Sequence, residues 1–249
     1  EATSFIELGN RNSGGITGLH PYFNFLLVFR ERGIDAIMGD YPNFTAVPIS
    51  TEVGTRAINT VTNVPGVGIM FLASDGVYTV SSNMEYSDSP GIKQISKHML
   101  KTMNRINEDC LGKACAIYSP KWQEWHCYYP ADGNDTPSLG IVYHLEKQAF
   151  STRTEFPVSA LARDYIGNIF IGSTNENNIQ PGVFVLSRKR ANGQRLNADD
   201  LIEDLSPPIS TFRSPWMDMG DETVKKHVHF VYLYVLTQGD NPISIEYFK

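Results

Sequence analysis

Cysteine is scarce in this sequence: there are three, Cys110, Cys115 and Cys127, among 249 residues. A small odd number does not predict a disulfide framework, and we expect the chain to be made in a reducing compartment. Long apolar runs are missing as well. None approaches the ~20 residues that cross a bilayer, so the sequence predicts no membrane segment.

Positive charge is also in short supply. The chain carries 21 Lys and Arg against 27 Asp and Glu, for a net charge of −6. This balance does not predict a basic face that binds nucleic acid. The hydrophobic share of 41% is nevertheless that of a folded protein, and a chain of this length can bury one large core or two small ones.

Sequence motifs typical of catalytic and phosphate-binding sites are also absent. The sequence has no Gly-rich phosphate loop, no nucleophile elbow and no His-Glu-x-x-His helix. It therefore predicts no catalytic, cofactor-binding or metal-binding residue and no cofactor, and we expect the protein not to be an enzyme.

What the sequence does contain is a recurring hairpin. Residues 25–29 (FLLVF) are apolar, aromatic and too few for a typical helix, which predicts a buried strand. A polar break with Gly33 follows, and residues 34–37 form a second apolar run. Strand, tight turn and strand predict a hairpin.

The same pattern returns three times, in residues 69–72 with 77–80 across Asp75-Gly76, 124–129 with 139–143, and 168–171 with 183–186. A short apolar segment leads into each hairpin, at 16–19, 58–61, 114–118 and 158–162. The spacing of roughly 40 to 55 residues is that of propeller blades. The predicted fold is mainly β: a β-propeller-like array of antiparallel hairpin blades.

One helix is predicted between the blades, at about residues 90–105. Apolar side chains recur at helical spacing from Ile92 to Ile106, after Ser89 as the N-cap and Pro90 at the first helical position. Residues 40–55 show little periodicity and are interpreted as a connection.

The predicted organisation has three parts. Residues 1–13 form a linker or the end of a preceding segment, 14–210 form the blades with the helix inserted, and 211–249 form an additional β segment that is truncated. Because neither end shows a start or stop signal, we expect a longer polypeptide.

Two groups of residues have the side chains of metal ligands. Cys110, Cys115, His126 and Cys127 fit no closed zinc spacing, so buried structural cysteines are the favoured interpretation. His227 and His229 share one face of a strand beside Lys225 and Lys226. A solvated or interface-facing patch is favoured over a metal pair there.

A glycosidase needs two facing carboxylates, and four are candidates: Glu31, Asp35, Asp164 and Asp218. Their spacing singles out no pair. Residues 74–76 resemble the start of the Asp box of sialidase propellers, but the aromatic that completes the box is absent. Trp122, Trp125 and Trp216 can stack on sugars, although core or interface anchoring is commoner.

Several phrases resemble the propeller of tail nozzle proteins from short-tailed bacteriophages (podoviruses), the tail tubular protein B family. They are residues 15–19 (GITGL), 26–34 (LLVFRERGI), 68–78 (GIMFLASDGVY), 117–120 (IYSP) with 124–125 (EW), 142–145 (VYHL) and 216–221 (WMDMGD). The likeness extends over about residues 14–247 and consists of structural phrases, not catalytic signatures.

This resemblance implies a structural virion protein, made in the host cytoplasm, that forms the ring-shaped nozzle (distal tail tube) through which DNA is ejected. It implies self-association into a hexameric ring, contacts with a tail adaptor protein and tail fibres, and transient, non-specific passage of double-stranded DNA. Tyr128, Tyr129, Phe212 and Trp216 are the candidate interface residues. The alternative is a β-propeller that binds or hydrolyses glycans.

Overall fold

The computed structural model describes residues 6, 8, 13–40, 43–81, 91–154, 157–173 and 182–186. These residues form a mainly β fold of four antiparallel sheets with few, short helical segments. The chain divides into two compact units, Glu1–Pro208 and Ile209–Lys249, and every described residue belongs to the first. The predicted β segment 211–249 and most of the predicted linker 1–13 lie outside the described residues.

Each sheet is a meander whose strands lie side by side in chain order. Sheet 1 contains β1 (Ile16–Tyr22), β2 (Phe25–Arg30), β3 (Gly33–Met38) and β4 (Thr45–Ser50). Sheet 2 contains β5 (Thr62–Val64), β6 (Gly68–Leu72), β7 (Val77–Ser81) and β8 (Gly91–Gln94). Sheet 3 contains β9 (Cys115–Ser119), β10 (Glu124–Pro130), β11 (Pro137–His144) and β12 (Ala149–Thr154). Sheet 4 contains β13 (Ala160–Arg163), β14 (Ile169–Ser173) and β15 (Gly182–Leu186).

All four predicted hairpins are confirmed, as β2–β3, β6–β7, β10–β11 and β14–β15. Three of the lead-in segments contain strands, namely β1, β9 and β13. The fourth prediction, for 58–61, is wrong because Ile58–Thr60 form a 3-10 turn. The hydroxyl of Thr60 donates to the carbonyl of Ala57 (2.7 Å) and accepts from the N–H of Leu72 (3.0 Å), which holds the turn against β6.

The predicted helix at 90–105 is largely wrong. Gly91–Gln94 form β8, and the helical part is limited to a 3-10 turn at Lys97–Met99 and the single turn α1 (Leu100–Met103). This segment pairs with β7 instead of forming a helix. Ile92 lies opposite Val80, and the buried hydroxyl of Ser96 accepts from the N–H of Val77 (2.9 Å). The connection predicted at 40–55 is also wrong, because it contains β4.

Consecutive sheets pack face against face through three apolar clusters. Between sheets 1 and 2, the rings of Phe29 and Phe71 meet edge to face with centroids 5.3 Å apart. Between sheets 2 and 3, Leu72 and Met70 share a cluster with Trp125. The third cluster joins sheets 3 and 4, around Tyr128. Because successive side chains on a strand point to opposite faces, sheets 2 and 3 bury apolar side chains on both faces.

The first strands of sheets 2, 3 and 4 lie beside one another. β5 runs next to β9 and β9 next to β13, and the guanidinium of Arg163 on β13 donates to the carbonyl of Tyr118 on β9 at 2.7 Å. At the opposite side of the stack, β4 lies close to β8. In the part of the chain that is described, no helix is long and apolar enough to span a membrane.

Candidate functional site

A row of ionisable and hydroxyl side chains crosses three strands of sheet 3. Glu124 and His126 lie two residues apart on β10, so both point to the face opposite Trp125. The register places His144 of β11 directly opposite Glu124, and Val142 opposite both His126 and Ser151 of β12. Four polar groups from three strands therefore meet on one face.

Glu124 is the centre of this cluster. One of its carboxylate oxygens lies 2.8 Å from Nδ1 of His144, and the other lies 3.3 Å from Nε2 of His126. Nε2 of His144 is in turn 3.0 Å from Oγ of Ser151. A continuous path of short contacts thus runs from the carboxylate through the imidazole of His144 to the serine hydroxyl.

Burial changes along this path. The Glu124 side chain is 3% exposed, whereas that of His144 is 28% exposed and Ser151 is an exposed residue of the edge strand β12. The carboxylate end is therefore shielded from water, and the hydroxyl end is open to solvent.

The two contacts suit one tautomer of a neutral His144. With Glu124 ionised, Nδ1 would donate to the carboxylate, because an ionised carboxylate only accepts hydrogen bonds. Nε2 would then be placed to accept from the hydroxyl of Ser151. A hydroxyl, an imidazole that accepts its proton and a carboxylate that orients the imidazole are the three parts of an activated serine nucleophile.

A glycine shapes the same face. A Cβ on Gly140 would lie 2.6 Å from Cε1 of Tyr128, closer than real contacts allow, so the residue leaves room for the tyrosine ring. The same Cβ position lies 3.3 Å from Cβ of Arg153, which places Arg153 on this face, two residues beyond Ser151. Arg153 forms no ion pair among the described residues.

The candidate zinc residues are not gathered into one site. Cys115 and Cys127 are buried, as predicted, but Cys110 is partly exposed. Burial raises the pKa of Cys115 to about 12 and that of Cys127 well above its ordinary value. In the described ranges, no group of three or more His, Cys, Asp or Glu side chains is placed to hold a metal ion. His227 and His229 lie outside those ranges.

The candidate interface residues are in part internal. Tyr129 is fully buried and Tyr128 is 2% exposed, because the first faces sheet 2 and the second faces sheet 4. Neither ring is offered to a neighbouring subunit, so the expectation that these two tyrosines form an interface is not retained. Phe212 and Trp216 lie outside the described residues.

The tryptophans of sheet 3 differ in their surroundings. Trp125 is fully buried between sheets 2 and 3. Trp122 is half-buried in the turn before β10, with its ring 6.0 Å from that of His126. The prediction that a tryptophan here anchors the core, and does not stack on a sugar, is therefore confirmed for Trp125.

The candidate glycosidase carboxylates have separate partners. Asp35 forms a buried ion pair with Arg30 at 2.8 Å, and Glu31 forms a more exposed one with Arg56 at 3.4 Å. Asp164 accepts from the backbone N–H of Asn168 at 2.7 Å, as an ordinary turn residue does. Asp218 is not among the described residues.

Comparison with known proteins adds no assignment. No protein-family model matches this sequence, and no curated protein matches it.

Glu124, His144 and Ser151 were not predicted as a group from the sequence. They are separated by 20 and 7 positions, and no local motif connects them. The register of the predicted hairpin β10–β11 is the feature from which the proximity of Glu124 and His144 follows. Pairing Tyr129 with Leu139, as the structure does, places His144 opposite Glu124.

Proposed function

We propose that this chain belongs to a structural virion protein of a bacteriophage tail, the ring-shaped nozzle through which DNA leaves. The observation that carries the proposal is the stack of four consecutive meanders, packed face to face in chain order. That arrangement agrees with the propeller of the nozzle family that the sequence phrases resemble.

The side of the stack formed by the first strands supports a propeller-like arrangement. In a propeller, the first strand of each blade lies nearest the axis, so neighbouring first strands approach each other. β5, β9 and β13 are neighbours in this way. We propose that these meanders are blades of a propeller.

Exposed apolar side chains on β15 support self-association. On β15, Val183 is 75% exposed and Val185 is 47% exposed, and both point away from the cluster that packs on sheet 3. Ring contacts between identical subunits join two different surfaces and bury apolar area. In this proposal the ring is a hexamer, bound by an adaptor protein above and by tail fibres at its side.

The charge balance suits a conduit. Neutralising phosphates releases counterions and makes binding tight, so a channel that passes double-stranded DNA should avoid basic walls. The net charge of −6 is compatible with transient, non-specific passage. The proposed location is the virion tail, after synthesis in the host cytoplasm, and the proposed role requires no catalysis.

The test is the mass of the purified full-length protein by native mass spectrometry, with negative-stain images, alone and with the tail adaptor protein. We expect a closed ring with a hole wide enough for duplex DNA. Val183→Asp should reduce ring formation by placing a charge in the contact, whereas Thr152→Asp, at an exposed position of sheet 3, should not. A monomer under both conditions would overturn the proposal.

The second candidate is a glycan-binding or glycan-hydrolysing propeller. It is favoured by Tyr165, which is 97% exposed at the turn between β13 and β14. Beside this turn, Nζ of Lys121 lies 3.1 Å from Oδ1 of Asn168. An exposed ring on an ordered turn can stack on a sugar. Specific binding on a glycan array by a protein that forms no ring would favour this candidate.

A further inference from the structure

We propose that Ser151, His144 and Glu124 form an acyl-transfer site on sheet 3, with Ser151 as nucleophile, His144 as general base and acid, and Glu124 as the residue that positions His144. The two contacts, 3.0 Å and 2.8 Å, lie within the range required between nucleophile, base and orienting carboxylate. The proposed structural role uses none of these residues, so the two proposals can fail independently.

The placement of the three groups favours chemistry over a purely structural polar row. All three belong to paired strands, which hold them more rigidly than a loop would. The group that must meet a substrate is the exposed one, and the carboxylate that must remain aligned is the shielded one.

The reaction is balanced without a further reagent. Oγ of Ser151 attacks the carbonyl carbon of an ester, a new C–O bond forms, and the hydroxyl proton passes to Nε2 of His144. The tetrahedral intermediate then breaks its bond to the alkoxide, which leaves as an alcohol with that proton. Water attacks the acyl-serine, again with His144 taking the proton, and the acid leaves as Ser151 recovers its hydrogen.

Charge develops in two places, on the imidazole and on the carbonyl oxygen of the ester. The imidazolium formed on His144 is stabilised by Glu124 at 2.8 Å. The oxyanion forms on the ester oxygen beside Ser151, and Arg153, two residues along the same strand, lies on the same face.

The open surface around Ser151 indicates the substrate class. An exposed serine on an edge strand contacts an acyl group from one side only, so little binding energy is available for a large one. The geometry points to unhindered esters with a short acyl group, such as acetyl esters, in which the alkoxide leaves readily.

The test uses the full chain with p-nitrophenyl acetate as substrate and a fluorophosphonate as covalent probe. We expect the probe to modify Ser151, located by peptide mass spectrometry, and the wild-type chain to hydrolyse the ester. Ser151→Ala and His144→Gln should each lower the rate at least about 100-fold. Thr152→Ala, exposed on the opposite face of the same strand, should leave it unchanged.

Glu124 is tested separately because it is buried. Glu124→Gln should lower kcat with little change in KM, and Glu124→Asp should recover part of the rate. Circular dichroism and urea unfolding verify that each variant is folded. Failure of the folded wild-type protein to label at Ser151, or full activity in Ser151→Ala, would overturn the proposal whatever the state of the ring.

Discussion

Cys115 lies at the start of β9, and its side chain belongs to the apolar cluster between sheets 3 and 4. Cys127 is fully buried on the other face of sheet 3. Burial raises the pKa of both thiols, because the charged thiolate loses its hydration. At neutral pH both therefore remain protonated and behave as small apolar side chains.

Cys110 should be the thiol that reacts in the folded protein. It is partly exposed, and its pKa is raised by partial burial and by the carboxylate of Asp135, to which Sγ donates at 3.4 Å. We expect Asp135→Asn to lower this pKa, increase the thiolate fraction at pH 7 and speed alkylation by iodoacetamide. Peptide mass spectrometry over time measures the rate at each cysteine.

The buried thiols supply the internal comparison. Cys115 and Cys127 should stay unmodified in the folded protein and react in urea. If either were alkylated as fast as Cys110 under native conditions, the packing of sheet 3 described above would be incorrect.

At the scale of the element, the first hairpin combines apolar pairing with one buried ion pair. Arg30 on β2 and Asp35 on β3 meet at 2.8 Å with side chains only 4% and 2% exposed. Removing one partner of such a pair leaves a buried charge without compensation, which costs more than the pair itself contributes.

We expect Asp35→Asn to lower the free energy of unfolding by about 3 to 5 kcal/mol. The matched control is Asp132→Asn, which removes a carboxylate from the exposed pair with Arg105, at 3.0 Å from Nε, and should leave the urea midpoint close to that of the wild type. Urea titrations followed by tryptophan fluorescence measure both. Equal midpoints for the two variants would contradict the burial of the Arg30–Asp35 pair.

The elements that the sequence predicted are those with strong local signals. The inner strands of each hairpin are apolar, and turns such as Asp75-Gly76 have a specific chemistry. The strands β4 and β8, which were not predicted, lack both. β4 is partly exposed and contains Pro48, which suits an edge position, and β8 alternates over only four residues.

The helix prediction failed for a related reason. Ile92, Ile95 and Met99 fit a helical period, but the spacing of apolar residues gives no information on the pairing of Ile92 with Val80. The candidate site could not be predicted either. It depends on the register of β10, β11 and β12, and only the first of these pairings was predicted.

At the scale of the whole molecule, stability depends on contacts between successive sheets. Each sheet buries apolar side chains on a neighbour, as repeat units do when they cannot form a core alone. Phe71 shows this most clearly. It is fully buried on β6, contacts Phe29 of sheet 1 edge to face, and stacks on Tyr78 with centroids 5.9 Å apart.

Phe71→Ala should therefore destabilise the chain by about 3 to 5 kcal/mol, because it removes a large ring and leaves a cavity between sheets 1 and 2. Phe44→Ala, at a position that is 45% exposed, should change stability by no more than about 0.5 kcal/mol. A double-mutant cycle with Phe29→Ala should give a coupling of about 0.5 to 1.5 kcal/mol beyond the separate effects. Urea unfolding measures the wild type and all four variants. Strict additivity of the two core substitutions would mean that sheets 1 and 2 do not pack through these rings, and the face-to-face stack on which the proposed function depends would then lose its first interface.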